Sequence, residues 1–250
     1  MFKDKETLST SIGVDNEIIL KYINETLNGV IPDKYSKTEG RIMKTIGQTL
    51  SEDIKIIHTN DVHCGIQDTI GYDGLKLYKK QLQKKYKNVL VVDSGDHIQG
   101  GTIGLITKGE DIIDTMNEVG FDAVTVGNHE FDYGVDRLFE LNKNLSCGYI
   151  SSNIYFRKNK TALFPSYTIL PLNGTDKKIA FVGVATPQTL TKTSLISVVN
   201  DDDGSPTYDF LTKDNGQELY TQVQKDIDAA RAEGADYVII LAHLGKGGTS

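Results

Sequence analysis

NVLVVDSGDHIQGG, residues 88–101, is the stretch whose reading decides the fold. A run of Val and Leu passes without a break into Asp93-Ser94-Gly95-Asp96-His97 and then into a pair of glycines. The apolar run reads as a buried strand. An abrupt change to carboxylates and imidazole is the pattern of a strand whose carboxyl end meets a ligand crevice. The same pattern recurs outward from this point. IKIIH (54–58) leads into Asn60-Asp61-Val62-His63, DAVTV (122–126) into Gly127-Asn128-His129-Glu130, and YVIIL (237–241) into Ala242-His243-Leu244-Gly245. KIAFVGV (178–184) is a fifth run of the same kind.

Helical stripes fill the gaps. Leu75, Tyr78, Leu82 and Tyr86 recur at helical spacing with Asp73 as the predicted N-cap, and Ile112, Ile113, Met116 and Val119 do so before Gly120, a natural stop. Leu219, Val223, Ile227 and Ala230 form a third stripe, opened by Asn215 with Glu218 three residues on and closed by Gly234. Strands alternating with helices predict βαβ units, an α/β class and a largely parallel sheet. Residues 155–178 and 193–213 read as irregular, and NDDDGSP (200–206) as a solvated loop. Residues 1–50 stand outside the rhythm, although Ile18, Ile19, Tyr22, Ile23 and Leu27 make a helical stripe there. No internal repeat is found.

Composition sets outer bounds. The 250 residues are 38% hydrophobic and 24% charged with a net charge of −7, an ordinary globular profile. That acidic balance argues against sequence-independent nucleic-acid binding, which depends on Lys and Arg neutralising phosphates. A small phosphorylated substrate needs only local positive charge, and bound cations can supply it. No apolar run approaches the roughly 20 residues that cross a bilayer, and the N-terminus has no apolar signal-peptide core. Cys64 and Cys147 are too few for a disulfide framework and leave the redox compartment open. Asn24, Asn144 and Asn173 open Asn-x-Ser/Thr sites that would matter only in a eukaryotic secretory pathway.

The four polar strand ends come from distant parts of the chain and should converge on one rim. Their mixture of carboxylate and imidazole suits borderline or hard divalent ions such as zinc, manganese or iron. An extended Asp61-x-His63 would point both side chains to one side, where they can bind one metal. Asp96 has two carboxylate oxygens and can bridge two ions. Without cations, such a cluster of like charges would disfavour joint ionisation. Two ions about 3.5–4 Å apart would polarise phosphoryl oxygens and generate a hydroxide nucleophile near neutral pH. Any one of these motifs alone has an ordinary structural reading as a turn, a helix cap or a buried histidine; four together at strand ends do not. His58 reads as core or supporting, His97 as lining the pocket, Cys64 as a small filler and Asp93 as a hydrogen-bonding support for a ligand. Glu130 has no assigned role.

On these residues the chain resembles the calcineurin-like metallophosphoesterases, and more narrowly the catalytic domain of the family of 5′-nucleotidases, 2′,3′-cyclic-nucleotide phosphodiesterases and UDP-sugar hydrolases. IIHTNDVHCG, VVDSGDHIQGG, TVGNHEFDYG and LAHLG match that family's blocks in order and spacing over about 54–250. The resemblance implies a four-layer α/β/β/α sandwich with a binuclear centre. It would assign Asp61 and His63 to the first metal, Asp96 to the bridge, and Asn128 and His243 to the second. His129 would be the catalytic histidine and Asp132 its orienting carboxylate, in keeping with charge placed at a developing transition state.

The expected activity is metal-dependent hydrolysis of nucleotide phosphoesters, of the 5′-nucleotidase or 2′,3′-cyclic phosphodiesterase/3′-nucleotidase type. The alternatives are a UDP-sugar hydrolase or broader phosphodiesterase, or a catalytically incomplete metal-binding fragment. The family's next block, Gly-His-x-His, is not in the sequence, and neither is its C-terminal substrate domain, so 54–250 reads as an incomplete catalytic domain of a larger chain. Residues 1–45 read as the end of a preceding substrate domain or as an N-terminal extension, with 46–53 as linker. Family resemblance points to an extracytoplasmic setting.

Overall fold

The computed structural model describes residues 53–193, 198–199 and 205–244. Strand β2 (Asn88–Asp93) is buried on both faces, which explains why its sequence is a nearly continuous apolar run without alternation. It lies between β1 (Ile54–Thr59) and β3 (Ala123–Thr125) in a parallel sheet whose far edge is β4 (Tyr149–Ile150). Thr59 is in register with Asp93, so β1 and β2 end level with one another. A ribbon of β5 (Tyr155–Phe156) and β8 (Tyr208–Asp209) stands apart. The second sheet is built on β7 (Lys178–Ala185), antiparallel to β6 (Tyr167–Pro171) and parallel to β9 (Tyr237–His243).

Packing makes four layers. Over the outer face of the first sheet lie α1 (Gly71–Gln83), α2 (Thr102–Thr107), α3 (Glu110–Val119) and α4 (Val135–Asn144). Ile112, Ile113 and Met116 of α3 have no solvent exposure, and burying each such side chain stabilises by about 1.5–3 kcal/mol. Between the sheets, Val92, Ala123 and Ile150 meet Ile179, Phe181 and Leu241. On the far side, Leu219, Val223 and Ala230 of α6 (Gln217–Ala232) cover Ala180, Val182 and Val184 of β7. A short helix, α5 (Thr189–Lys192), follows β7. The predicted α/β/β/α sandwich is the observed architecture.

Several local expectations change. The βαβ rhythm predicts a largely parallel central sheet, and the four-stranded sheet is parallel throughout, whereas β6 runs antiparallel in the three-stranded sheet and β5 and β8 pair antiparallel in the ribbon. The stretch 155–178 that reads as irregular holds β5 and β6, and 193–213 holds β8. β6 escapes the sequence because it is a half-exposed edge strand ending in Pro171, a residue tolerated only at such edges. Asp73 is not the N-cap of α1; that position is Ile70, and Asp73 lies in the first turn, where its charge complements the helix dipole. α6 is capped by Gly216 at φ 84, with Asn215 one residue outside it. Gly120 does end α3, at φ 76 with its N–H on the Met116 carbonyl.

The N-terminal stripe, the 1–45 and 46–53 divisions up to residue 52, and residues 200–204 of the acidic loop lie outside the described residues. Among the described residues, no helix is long and apolar enough to cross a membrane.

Candidate metal centre

Because β1, β2 and β3 are parallel, their carboxyl ends share one rim, and β9 brings a fourth end to it from the second sheet. Beyond Thr59 the chain is not extended. Asp61 (φ 53), His63 (φ 47) and Cys64 (φ 60) are all left-handed, so strand alternation is not what turns Asp61 and His63 inward. Left-handed kinks do it, held by backbone bonds that continue the β1–β2 pairing. Asp61 N–H donates to Gly95 O (3.0 Å), His63 N–H to Asp96 O (2.9 Å) and Cys64 N–H to His97 O (3.0 Å). Non-glycine residues in this region cost of order 1–3 kcal/mol each, and they cluster where geometry serves a site. Asp96, at φ 60, is a fourth.

Two glycines permit the loops to touch. A Cβ on Gly95 would lie 2.3 Å from Gly127 N, and one on Gly127 would lie 2.1 Å from Asp96 Oδ1. With both absent, Asp96 comes against the β3 loop and its Oδ1 accepts the His129 N–H at 2.8 Å. Asp96 Oδ2 lies 3.2 Å from His243 Nε2 and 3.8 Å from His63 Nε2, which is itself 3.8 Å from Asp61 Oδ1. Two groups of ligand atoms result, each with all members within 4.8 Å of one another: His63, Asp96 and His129; and Asp61, Asp96 and His243. Asp96 belongs to both. Asn128 opens the 3₁₀ turn His129–Phe131 and is buried at the same rim.

The donor set fits a pair of divalent cations. His63 donates its Nδ1–H to Gln99 O (3.1 Å) and His243 its own to Ser94 O (2.9 Å), which leaves both Nε2 atoms facing Asp96. A metal-binding imidazole is commonly fixed in this way, through its second nitrogen. His129 differs. Its Nδ1–H goes to Asp132 Oδ2 at 2.6 Å, an arrangement suited to a histidine that acts on a substrate through Nε2.

Protonation in the metal-free chain agrees with a site built for cations. Burial alone would lower His243, but the hydrogen bond and charge of Asp96, with Asp61 behind it, raise it to about 9. Burial pushes the Asp61 carboxyl up. Burial would do the same to Asp96, yet the bonds from His243 and the His129 N–H hold it below the ordinary carboxylate range.

Beneath the rim is a layer that the sequence did not disclose. Glu130, with no solvent exposure, accepts the N–H of Asp96 (2.8 Å) and Gly127 (2.6 Å) on Oε2 and that of His97 (2.8 Å) on Oε1. One carboxylate thereby ties the β2 loop to the β3 loop. The available signal was its spacing, since a Glu reaching back three residues to a backbone N–H is half of a capping box. His97 does not line the pocket. It is wholly buried between Asp93 Oδ1 (2.9 Å) and the Tyr149 hydroxyl (2.8 Å), and the carboxylates of Glu130 and Asp93 outweigh burial to raise it to about 8. Asp93 supports the loop through the Thr59 hydroxyl, the Gly95 N–H and His97, and not through a metal-ligand side chain. His58 supports Ser94 through its hydroxyl (2.7 Å), and Cys64 is a buried filler.

Comparison with known proteins bears on the family. The family model described as calcineurin-like phosphoesterase matches residues 54–250. A 5′-nucleotidase of Diplobatis ommata is 29% identical over 219 residues, covering 80% of this chain and 35% of the relative. The trifunctional nucleotide phosphoesterase protein YfkN of Bacillus subtilis is 29% identical over 222 residues, 77% of this chain and 14% of that protein. Among solved structures, a 5′-nucleotidase precursor from Thermus thermophilus superposes with a TM-score of 0.61 at 25% identity, over 76% of this chain and 37% of the other. The chain thus spans little more than a third, or less, of these relatives' length.

Proposed function

The chain belongs to the calcineurin-like phosphoesterase family, and from that premise we propose that it hydrolyses phosphoesters of nucleotides at the rim described above. Members of this family use two divalent ions, and the shared membership of Asp96 in two ligand groups is the observation that carries the reading. In the proposed assignment Asp61, His63, Asp96, Asn128 and His243 hold the cations. Zinc, manganese or iron would suit these donors. When bound, such ions polarise a phosphoryl oxygen and make water acidic enough to act near neutral pH.

The chain's own residues do the remaining work. Asp132 keeps the proton of His129 on Nδ1, so Nε2 is the atom left to meet the phosphoryl group or the departing oxygen. Glu130 holds the Asp96 and His129 loops in one register, so that charge is in place before substrate arrives. Relatives named as 5′-nucleotidase and nucleotide phosphoesterase support a nucleotide as substrate. We further infer an extracytoplasmic setting within a longer, multi-domain protein, on the strength of the precursor form of the Thermus relative and of the relatives' greater length.

Hydrolysis of 5′-AMP to adenosine and phosphate, of a 2′,3′-cyclic nucleotide to a nucleoside monophosphate, and of UDP-glucose to UMP and glucose 1-phosphate, each followed by its own product on the complete protein with manganese or zinc, tests the proposal. Hydrolysis of at least one is expected, and loss on chelation. No hydrolysis of any of the three with metal bound would defeat it. A second reading, a metal-binding unit that needs further sequence for turnover, is favoured by one observation. Each group gathers three His or Asp ligand atoms among the described residues. Two tight metal equivalents on this chain would reject that reading, and one weak equivalent would favour it.

A further inference from the structure

The segment after β7 takes no part in the chemistry so far assigned, yet it reaches the centre. Thr193, at the end of α5, donates its hydroxyl to Asp132 Oδ1 at 2.6 Å, while Asp132 Oδ2 accepts the His129 Nδ1–H at 2.6 Å. Both oxygens of one carboxylate are therefore engaged, one by a hydroxyl from the second sheet's side and the other by the imidazole. The torsion that turns a carboxylate about its Cβ–Cγ bond is broad and roughly two-fold. Held at one oxygen, Asp132 could swing and still bond to something; held at both, it cannot. Each contact has the short length of a charge-assisted bond.

Thr193 itself is firmly placed. It is buried, its N–H donates to Thr189 O (3.2 Å), and Thr189 in turn donates its hydroxyl to Thr186 O (2.6 Å). The Gln188 N–H closes the start of the segment on Thr186 Oγ1 at 3.2 Å. α5 packs against the 3₁₀ turn that carries His129. The hydroxyl thus comes from a buried residue whose own N–H is bonded to the turn before it.

We propose that Thr193 is a positioning residue: its hydroxyl fixes the rotamer of Asp132 and, through it, the orientation and tautomer of His129. The inference rests on the phosphoesterase reading given above, and it adds a third member to the His129–Asp132 pair. A purely structural role, in which Thr193 only anchors its segment, makes a different prediction, because an isosteric valine preserves packing and removes the bond.

The test compares wild type, Thr193→Val, Thr193→Ser and Asp132→Asn on the complete protein. Three quantities are read: kcat and KM for a hydrolysed phosphoester, metal content, and the downfield proton resonance of His129 Nδ1 in the zinc-loaded and metal-free forms. Loss of a supporting partner of this kind typically costs about 10–100-fold. We expect that loss in kcat for T193V, with KM and metal content unchanged and the His129 resonance shifted upfield. T193S should retain both rate and resonance. In the double variant T193V/D132N the losses should not add, because the two residues act through one bond chain. Wild-type kcat with an unmoved resonance in T193V overturns the proposal, as does equal impairment of T193V and T193S. Should T193V fail to fold, Thr193→Ala is read in the same way. A wild-type protein that hydrolyses no phosphoester overturns the underlying reading instead, and the resonance then decides separately whether Thr193 orients His129.

Discussion

The two sheets supply the same centre by different means. Three strand ends of the first sheet deliver Asp61, His63, Asp96, Asn128 and His129, and backbone bonds lock them to one another. Glu130 clamps two of those loops from below through three N–H groups. The second sheet contributes His243, which meets this rim at the Ser94 carbonyl and the Asp96 carboxylate. The first rim is thus organised by its own chain, whereas the second is docked on it, its place set by packing of Val92 and Ile150 against Phe181 and Leu241. Donors held by local backbone keep their geometry when a neighbour is lost; a docked donor keeps it only while the layers stay together.

The largest expected effect of breaking this contrast is on the first rim. Glu130→Ala leaves the N–H groups of Asp96, His97 and Gly127 without their acceptor in the interior, at about 1–3 kcal/mol for each. A strong fall in the denaturant midpoint is expected, with loss of metal binding; an unchanged midpoint would mean that the first rim is not organised by this clamp.

Next in size is His243→Ala, which removes one proposed ligand from the group it shares with Asp61 and Asp96 and leaves His63 and Asp96 in place. One metal equivalent should weaken by more than the roughly 10–100-fold typical of an outer partner, and the other should persist in a calorimetric titration. Equal weakening of both would show that the rims form one cooperative unit.

A pH series on the metal-free chain sharpens the same point. His243 is raised to about 9 by Asp96 and Asp61 against the effect of burial, so the fold binds its proton more tightly than the unfolded chain does. The resulting stabilisation is complete below the unfolded histidine value of about 6.5 and fades as pH rises through about 9. Urea midpoints with chelator should therefore fall between those limits, and H243A should flatten the trend. A wild-type midpoint that climbs over that range would contradict it.

The smallest effect is expected of Ser94→Ala. The hydroxyl serves His58, but the group that holds His243 is the backbone carbonyl, which the substitution leaves in place. Stability should change by about 0.5–1.5 kcal/mol, with metal affinity unmoved; a loss of affinity like that of H243A would assign the docking to the side chain instead.

Much of this was legible before any coordinates. Valine-rich runs that break into Asp, His and Asn disclose both a strand and its polar end, so the rim and the candidate donors around it can be read from residue type and order. The His129–Asp132 pair came only from the family resemblance, and the structure shows the two side chains bonded at 2.6 Å. The spacing of Glu130 marks its bond back to Gly127, but nothing in the sequence announces its bond to Asp96, 34 residues away, or that of Thr193 to Asp132, 61 away. The same holds for the inward turn of Asp61 and His63, which comes from left-handed backbone and not from strand alternation.

By itself, then, the amino-acid order determined the α/β class, the strands and the inventory of metal-type donors, since hydrophobic periodicity and residue chemistry are local properties. Only the tertiary structure decided how the strands divide between the layers and that one of them runs antiparallel, that Asp96 is shared between two groups of possible ligand atoms, and that Glu130 joins the Asp96 and Gly127 loops while Thr193 bonds to Asp132. Those features depend on which distant backbone groups and side chains are brought within hydrogen-bonding distance, and layer packing alone brings them there.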